Sequence, residues 1–150
     1  MDDNRSPLTR SVADRQLLAA WAGACAARVL PLFEARHPDD GRPRRAVEAA
    51  QAWAHGEIRV GQARQAAFAA HAAARVASDP AARAAARSCG QAAGTVHMGG
   101  HARHAADYAA TAVGHASADG SDAVALERAW QYEHLPGSLR SFVYPSSGLA

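Results

Sequence analysis

The chain has 150 residues, of which 49% are hydrophobic, and its 16 basic residues are all arginine against 14 acids, for a formal charge of +2. That length suits one domain, able to bury about 70% of the surface its unfolded form would expose. Arginines are spread along the chain among the acids, so no basic stripe of the kind a phosphate backbone requires is evident, which argues against nucleic acid as a partner.

The first ten residues, "MDDNRSPLTR", are acidic and polar with no apolar leader core, and they read as a flexible tail. Later apolar runs are broken by His or Arg short of a membrane span, so the expectation is a cytoplasmic chain with no membrane contact. Alanine dominates stretches such as "AAFAAHAAAR" and β-branched residues are few, which favours helix throughout. A first helix should run from Ser11 or Asp14 to the region of Glu34, with Pro31 kinking or splitting it. "HPDDGRPRR" is a loop, Pro43 suits the first turn of a second helix carrying "RRAVEAAQAWAH", and Gly56 stops that helix.

A third helix covers residues 61–77, and "SDP" supplies an N-cap and a first-turn proline for a fourth that reaches Val96. Paired glycines, Gly99 and Gly100, should break the chain before a fifth helix over residues 101–116. After the loop "SADGSD", a sixth runs over residues 122–134, and "LPGSLRSFVYP" closes with a short helical turn or two. The sum is an all-α fold, an antiparallel bundle of five or six helices, with Trp21, Trp53 and Trp130 as core anchors. Cys25 and Cys89 lack metal or redox spacing and read as small buried hydrophobes.

Three groupings bear on chemistry. On the fifth helix His101, His104, Tyr108, Thr111 and His115 form one stripe at spacings of three and four, opposite Ala102, Ala105, Ala109, Ala112 and Val113. With His97 they present an HxxxH-like pattern, but a helix break at the glycines removes its meaning as a metal motif, and only Asp107 stands nearby as a carboxylate. On the third helix Arg64, Phe68, His71 and Arg75 share a side, and burial among arginines would hold His71 neutral. At the second helix Arg42, Arg44 and Arg45 surround an N-terminus that would favour an anion, unless Asp39, Asp40 and Glu48 neutralise them. GxSxG, Walker, GxGxxG, HExxH and zinc-finger patterns are absent, so no cofactor and no metal is expected.

Taken jointly, "DRQLLAAWAGACAARVLPLFE", "DDGRPRRAVEAAQAWAHGEI", "ARQAAFAAHAAAR" and "ERAWQYEHLP" resemble the immunity-five-like family of bacterial helical proteins associated with polymorphic toxin systems. The resemblance spans roughly residues 14–136, and no single catalytic motif carries it. It implies a small α-helical cytoplasmic protein that binds and neutralises a toxin. The "MGGHARHA" segment departs from the family pattern, which singles out His104 as a feature of this chain.

Two roles fit these residues. In the first, the protein occludes a cognate toxin by direct contact and does no chemistry. In the second, a small helical enzyme uses His71, His97 and His101 as general acid/base groups and Tyr108 as a hydrogen-bond donor on an anionic small molecule. Ligand contacts would come from Arg44, Arg45, Arg64, Arg75, Trp53 and His104. An alanine-rich exposed face could also pair with its own copy.

Overall fold

Ser11 begins both the described residues, 11–145 of a computed structural model, and the first helix. Its hydroxyl accepts from the Asp14 amide at 3.2 Å and caps α1 (Val12–Glu34). The tail expected over residues 1–10 lies outside the described residues. Of the kink or split expected at Pro31, the split does not occur: α1 runs through it as one helix. The carbonyl that proline leaves unpaired is that of Ala27, which is exposed to water, and the helix ends within the next turn.

α2 (Arg42–Ala54) takes Pro43 in its first turn and stops as a Schellman motif. Gly56 sits at φ +75°, its amide donates to the Trp53 carbonyl at 2.9 Å, and the Glu57 amide donates to the Ala52 carbonyl at 2.9 Å. α3 (Val60–Val76) starts where the Gln62 side-chain oxygen accepts from the Arg59 amide, and α4 (Pro80–Gly94) where Asp79 accepts from the Ala82 amide. The chain turns through Gly99 and Gly100 into α5 (His101–Ala116), followed by α6 (Gly120–His134). A 3-10 turn, Gly137–Leu139, leads into a four-residue α7 (Arg140–Val143). The described residues thus form an all-helical bundle of seven helices rather than five or six, the seventh being the short closing turn.

From α1 to α6 consecutive helices are packing neighbours, and α1 and α4 lie at the centre: α1 meets α2, α4 and α5, and α4 meets α1, α2, α3 and α5. Alanine makes this closeness attainable. Ala82, Ala85, Ala86, Ala92, Ala102, Ala105, Ala109 and Ala112 are all fully buried and bring little bulk between the backbones. Larger side chains fill what remains, with Leu18, Val29, Phe33, Leu135 and Leu139 in the main core and Trp53 with Ala19, Ala63 and Val96 in a second cluster. α1 is long and apolar enough to cross a membrane by length and composition, but more than half of the relevant stretch is buried inside the bundle. Its apolarity on several sides follows from having helices on several sides.

Three buried polar side chains bind backbone carbonyls of neighbouring helices. Trp21 Nε1 donates to the Gln131 carbonyl at 2.8 Å, Gln131 Nε2 donates to the Ala106 carbonyl at 2.9 Å, and the Ser88 hydroxyl donates to the Ala105 carbonyl at 2.8 Å. These bonds tie α6 to α1 and α5, and α4 to α5. Trp130, expected as an anchor, is only partly buried: the Arg28 guanidinium lies 4.0 Å from its ring centroid and the His134 ring stacks on it at 4.1 Å.

Candidate functional site

Gly90 and Gly94 are one turn apart on α4, and a histidine ring from each flanking helix lies against them. A Cβ at Gly90 would sit 2.7 Å from Cε1 and Nε2 of His71, on α3. A Cβ at Gly94 would meet the His101 ring, on α5, at 3.4 Å. The two glycines therefore make a side-chain-free strip along α4, here termed the trough, that the His71 ring fills from one side and the His101 ring borders from the other.

Both imidazoles are half-buried and both are held neutral. Burial lowers the His71 pKa, and the nearby Arg87, Arg75 and His101 lower it further. Burial also lowers that of His101, with added push from His104 and His97. His101 Nδ1 stands 2.7 Å from the Gln91 side-chain oxygen, which requires that nitrogen to carry the proton and leaves the lone pair on Nε2. The His101 and His104 ring centroids are 6.2 Å apart. Among the described residues no three His, Cys, Asp or Glu side chains are grouped so as to hold a metal ion.

The fold thus brings together His71, His101, His104, His97 and Arg75, which come from α3, the turn before α5, and α5 itself. It does so around residues the sequence reading passed over: Arg87, Gly90, Gln91 and Gly94, all on α4. The signal for them was two glycines four residues apart in an otherwise alanine-filled helix, the mark of a face where something approaches closely. His97 is exposed in the turn ahead of α5, so the glycine pair does separate it from the helix that carries His101 and His104. Tyr108 is half-buried one turn beyond His104, while Thr111 and His115 lie exposed further along. Across the helix Ala102, Ala105, Ala109 and Ala112 are buried as expected, and Val113 only partly.

A family model described as "Imm-5 like putative immunity protein" matches residues 9–138. The chain belongs to that family. Neither curated proteins nor solved structures give a match.

The remaining candidate residues of this family member are placed elsewhere. Arg44 is engaged with Glu34 in a two-pronged ion pair, Nε to Oε2 at 2.7 Å and Nη2 to Oε1 at 2.5 Å, and that hydrogen bonding holds the Glu34 carboxyl below its usual range. Arg42 is tied in the same way to Asp40. Arg45 lines an open cavity of about 590 Å³ with Arg36, His37, Asp39 and Asp40, at the loop before α2; none of the trough histidines borders it. Trp53 is a core residue, 7% exposed, with the Arg15 guanidinium 5.8 Å from its ring centroid. Arg64 is exposed on α3, on the same stripe as Phe68, His71 and Arg75. Cys25 and Cys89 are buried free thiols whose pKa values burial pushes up to about 12, so neither is a ready nucleophile.

Proposed function

We propose that this family member neutralises a bacterial toxin in the cytoplasm by direct protein–protein contact, as a preformed helical surface without chemistry of its own. The observation that carries the reading is the outer stripe of α3. Phe68 is 64% exposed there, on a helix whose other side is anchored by Ala63, Ala67, Ala70, Ala73 and Ala74 in the core. Aromatic and arginine side chains on a rigid element are the groups that dominate protein interfaces, because they deliver contact area with little ordering cost. Here Phe68 stands between exposed Arg64 and Arg75.

The test is co-expression with each toxic protein that neighbouring genes are found to encode, followed by isolation of the pair. Restored growth together with a complex of fixed stoichiometry is the expected result. Growth restored without any complex, by a purified protein that consumes a small molecule, would sink the contact reading.

One observation favours a second reading, a small enzyme acting on an anionic molecule. The His101 Nε2 lone pair, with Arg75 and Arg87 near the paired His71, is the equipment of a general base next to an anion-holding site. Its test is turnover by the isolated protein that His101→Gln abolishes.

A further inference from the structure

Between residues 58 and 106 the sequence holds six arginines and four histidines against a single acid, Asp79. That acid is already occupied: its carboxylate accepts from the Ala82 amide at 2.9 Å and faces Arg36 at 3.6 Å. Elsewhere several arginines are matched, Arg28 by Glu127, Arg42 by Asp40, Arg44 by Glu34 and Arg128 by Asp107. Arg64, Arg75 and Arg87 enter no ion pair among the described residues. A chain of near-neutral overall charge therefore has one strongly one-signed face, made by α3, the outer side of α4 and the start of α5.

The face has an internal order. On α3 Arg64, Phe68, His71 and Arg75 succeed one another at spacings of four, three and four, a stripe about 16 Å long at 1.5 Å per residue. Beside it runs the trough over Gly90 and Gly94, bordered by His71, His101 and Gln91, with Arg87 alongside. An apolar anchor is thus set among unmatched cations next to a seam where the His71 ring covers Gly90 and the His101 ring borders Gly94.

We propose that this face docks a carboxylate-rich surface of the toxin, with Phe68 entering an apolar pocket and Arg64, Arg75 and Arg87 pairing with Asp and Glu side chains of the partner. The inference rests on the toxin-binding reading and names the surface and the partner's chemistry. Charge complementarity selects that occupant, since unmatched guanidiniums favour planar carboxylates held in two-pronged contacts. A nucleic acid fits less well. Its backbone calls for a longer unbroken row of cations, and here a phenylalanine occupies the middle of the stripe.

Partner carboxylates over the trough would also make His71 and His101 easier to protonate. The groups facing His71 are Arg87, Arg75 and His101, and those facing His101 are His104 and His97, so nothing acidic offsets them in the free protein. Binding then takes up protons, and affinity rises as pH falls from about 7.5 to 6.

The experiment is calorimetric titration of catalytically inactivated toxin into the native chain, Phe68→Ala, and the pair Arg64→Gln/Arg75→Gln. Helicity and melting of each variant are checked first, and these exposed sites should leave both unchanged. Loss of about 30-fold affinity in Phe68→Ala is expected, with about 100-fold in the double variant and a weakened salt dependence. Variants that bind within about twofold of the native chain would overturn the assigned face and leave the toxin-binding reading standing. Failure of the native chain to bind would remove both. Salt-sensitive binding of a short DNA duplex through the same arginines, in place of the toxin, would also overturn the proposal.

Discussion

At position 90 the absence of a side chain is used by another residue, since the His71 ring occupies the space that a Cβ would fill. Gly90→Ala would place a methyl 2.7 to 2.9 Å from three ring atoms, and of the two groups the ring is the one that can move, by rotation about its side-chain bonds. The helix itself gains up to about 1 kcal/mol from the exchange. Melting should therefore hold or rise slightly, while the displaced imidazole becomes wetter and its pKa climbs back toward about 6.5. An NMR titration of His71 reads this directly, and an unaltered curve would mean that the ring does not rest on α4. The Arg28–Glu127 pair makes a second residue-level case, because its partners are unequally buried: the side chains are 39% and 7% exposed. Arg28→Ala strands a buried carboxylate, whereas Glu127→Ala leaves a guanidinium that still reaches water and Trp130. Urea unfolding should show the arginine loss costing about 3 kcal/mol and the glutamate loss about half of that.

Among the elements, α2 has the end most dependent on one residue. Gly56 at φ +75° lets two amides return to the last carbonyls, and any side chain there enters a conformation that costs about 1–2 kcal/mol. Gly56→Ala should lower stability by that amount even though open space surrounds the position, and Asp79→Ala should cost about 1 kcal/mol through loss of the α4 cap. Denaturant midpoints of the two variants give both numbers. These same residues explain why the helix limits were readable in advance. Gly56, Pro80 and the Gly99–Gly100 pair act through their own backbones, so their effect does not wait on tertiary structure. Pro31 does not split α1, because its cost depends on where the helix ends and on whether Ala27 meets water, and both are settled by packing. The apolar length of α1 is the converse case. Runs broken by Arg28 seemed too short to matter, yet the helix has the composition of a span because α2, α4 and α5 enclose it.

Over the whole molecule, the pairing of His71 with His101 shows what local reading could not reach. The pattern in the sequence groups His97, His101 and His104 and sets Arg75 beside His71, while two further electrostatic neighbours of His71, Arg87 and His101, lie sixteen and thirty residues away, on α4 and α5. They meet because α3 and α5 both pack on α4, an arrangement that depends on every buried alanine between them. This placement ties global stability to pH. Each of the two imidazoles is harder to protonate in the folded protein than in the unfolded chain, so the unfolded chain binds more protons between the two values. Their contribution is complete above about 6.5 and is lost as pH falls below that toward the folded values. Glu34 and Asp40 shift the opposite way, held low by Arg44 and Arg42, so the stability they contribute is lost only at more acidic pH, from about 4.5 downward. Acid unfolding should accordingly have two limbs. Urea midpoints measured between pH of about 7.5 and 5 should decline in the native chain and stay nearly level in His71→Gln/His101→Gln, with the lower limb unchanged in both. A decline that persists in the double variant would place the upper-limb protons on other groups and would leave the trough without a part in the protein's response to acid.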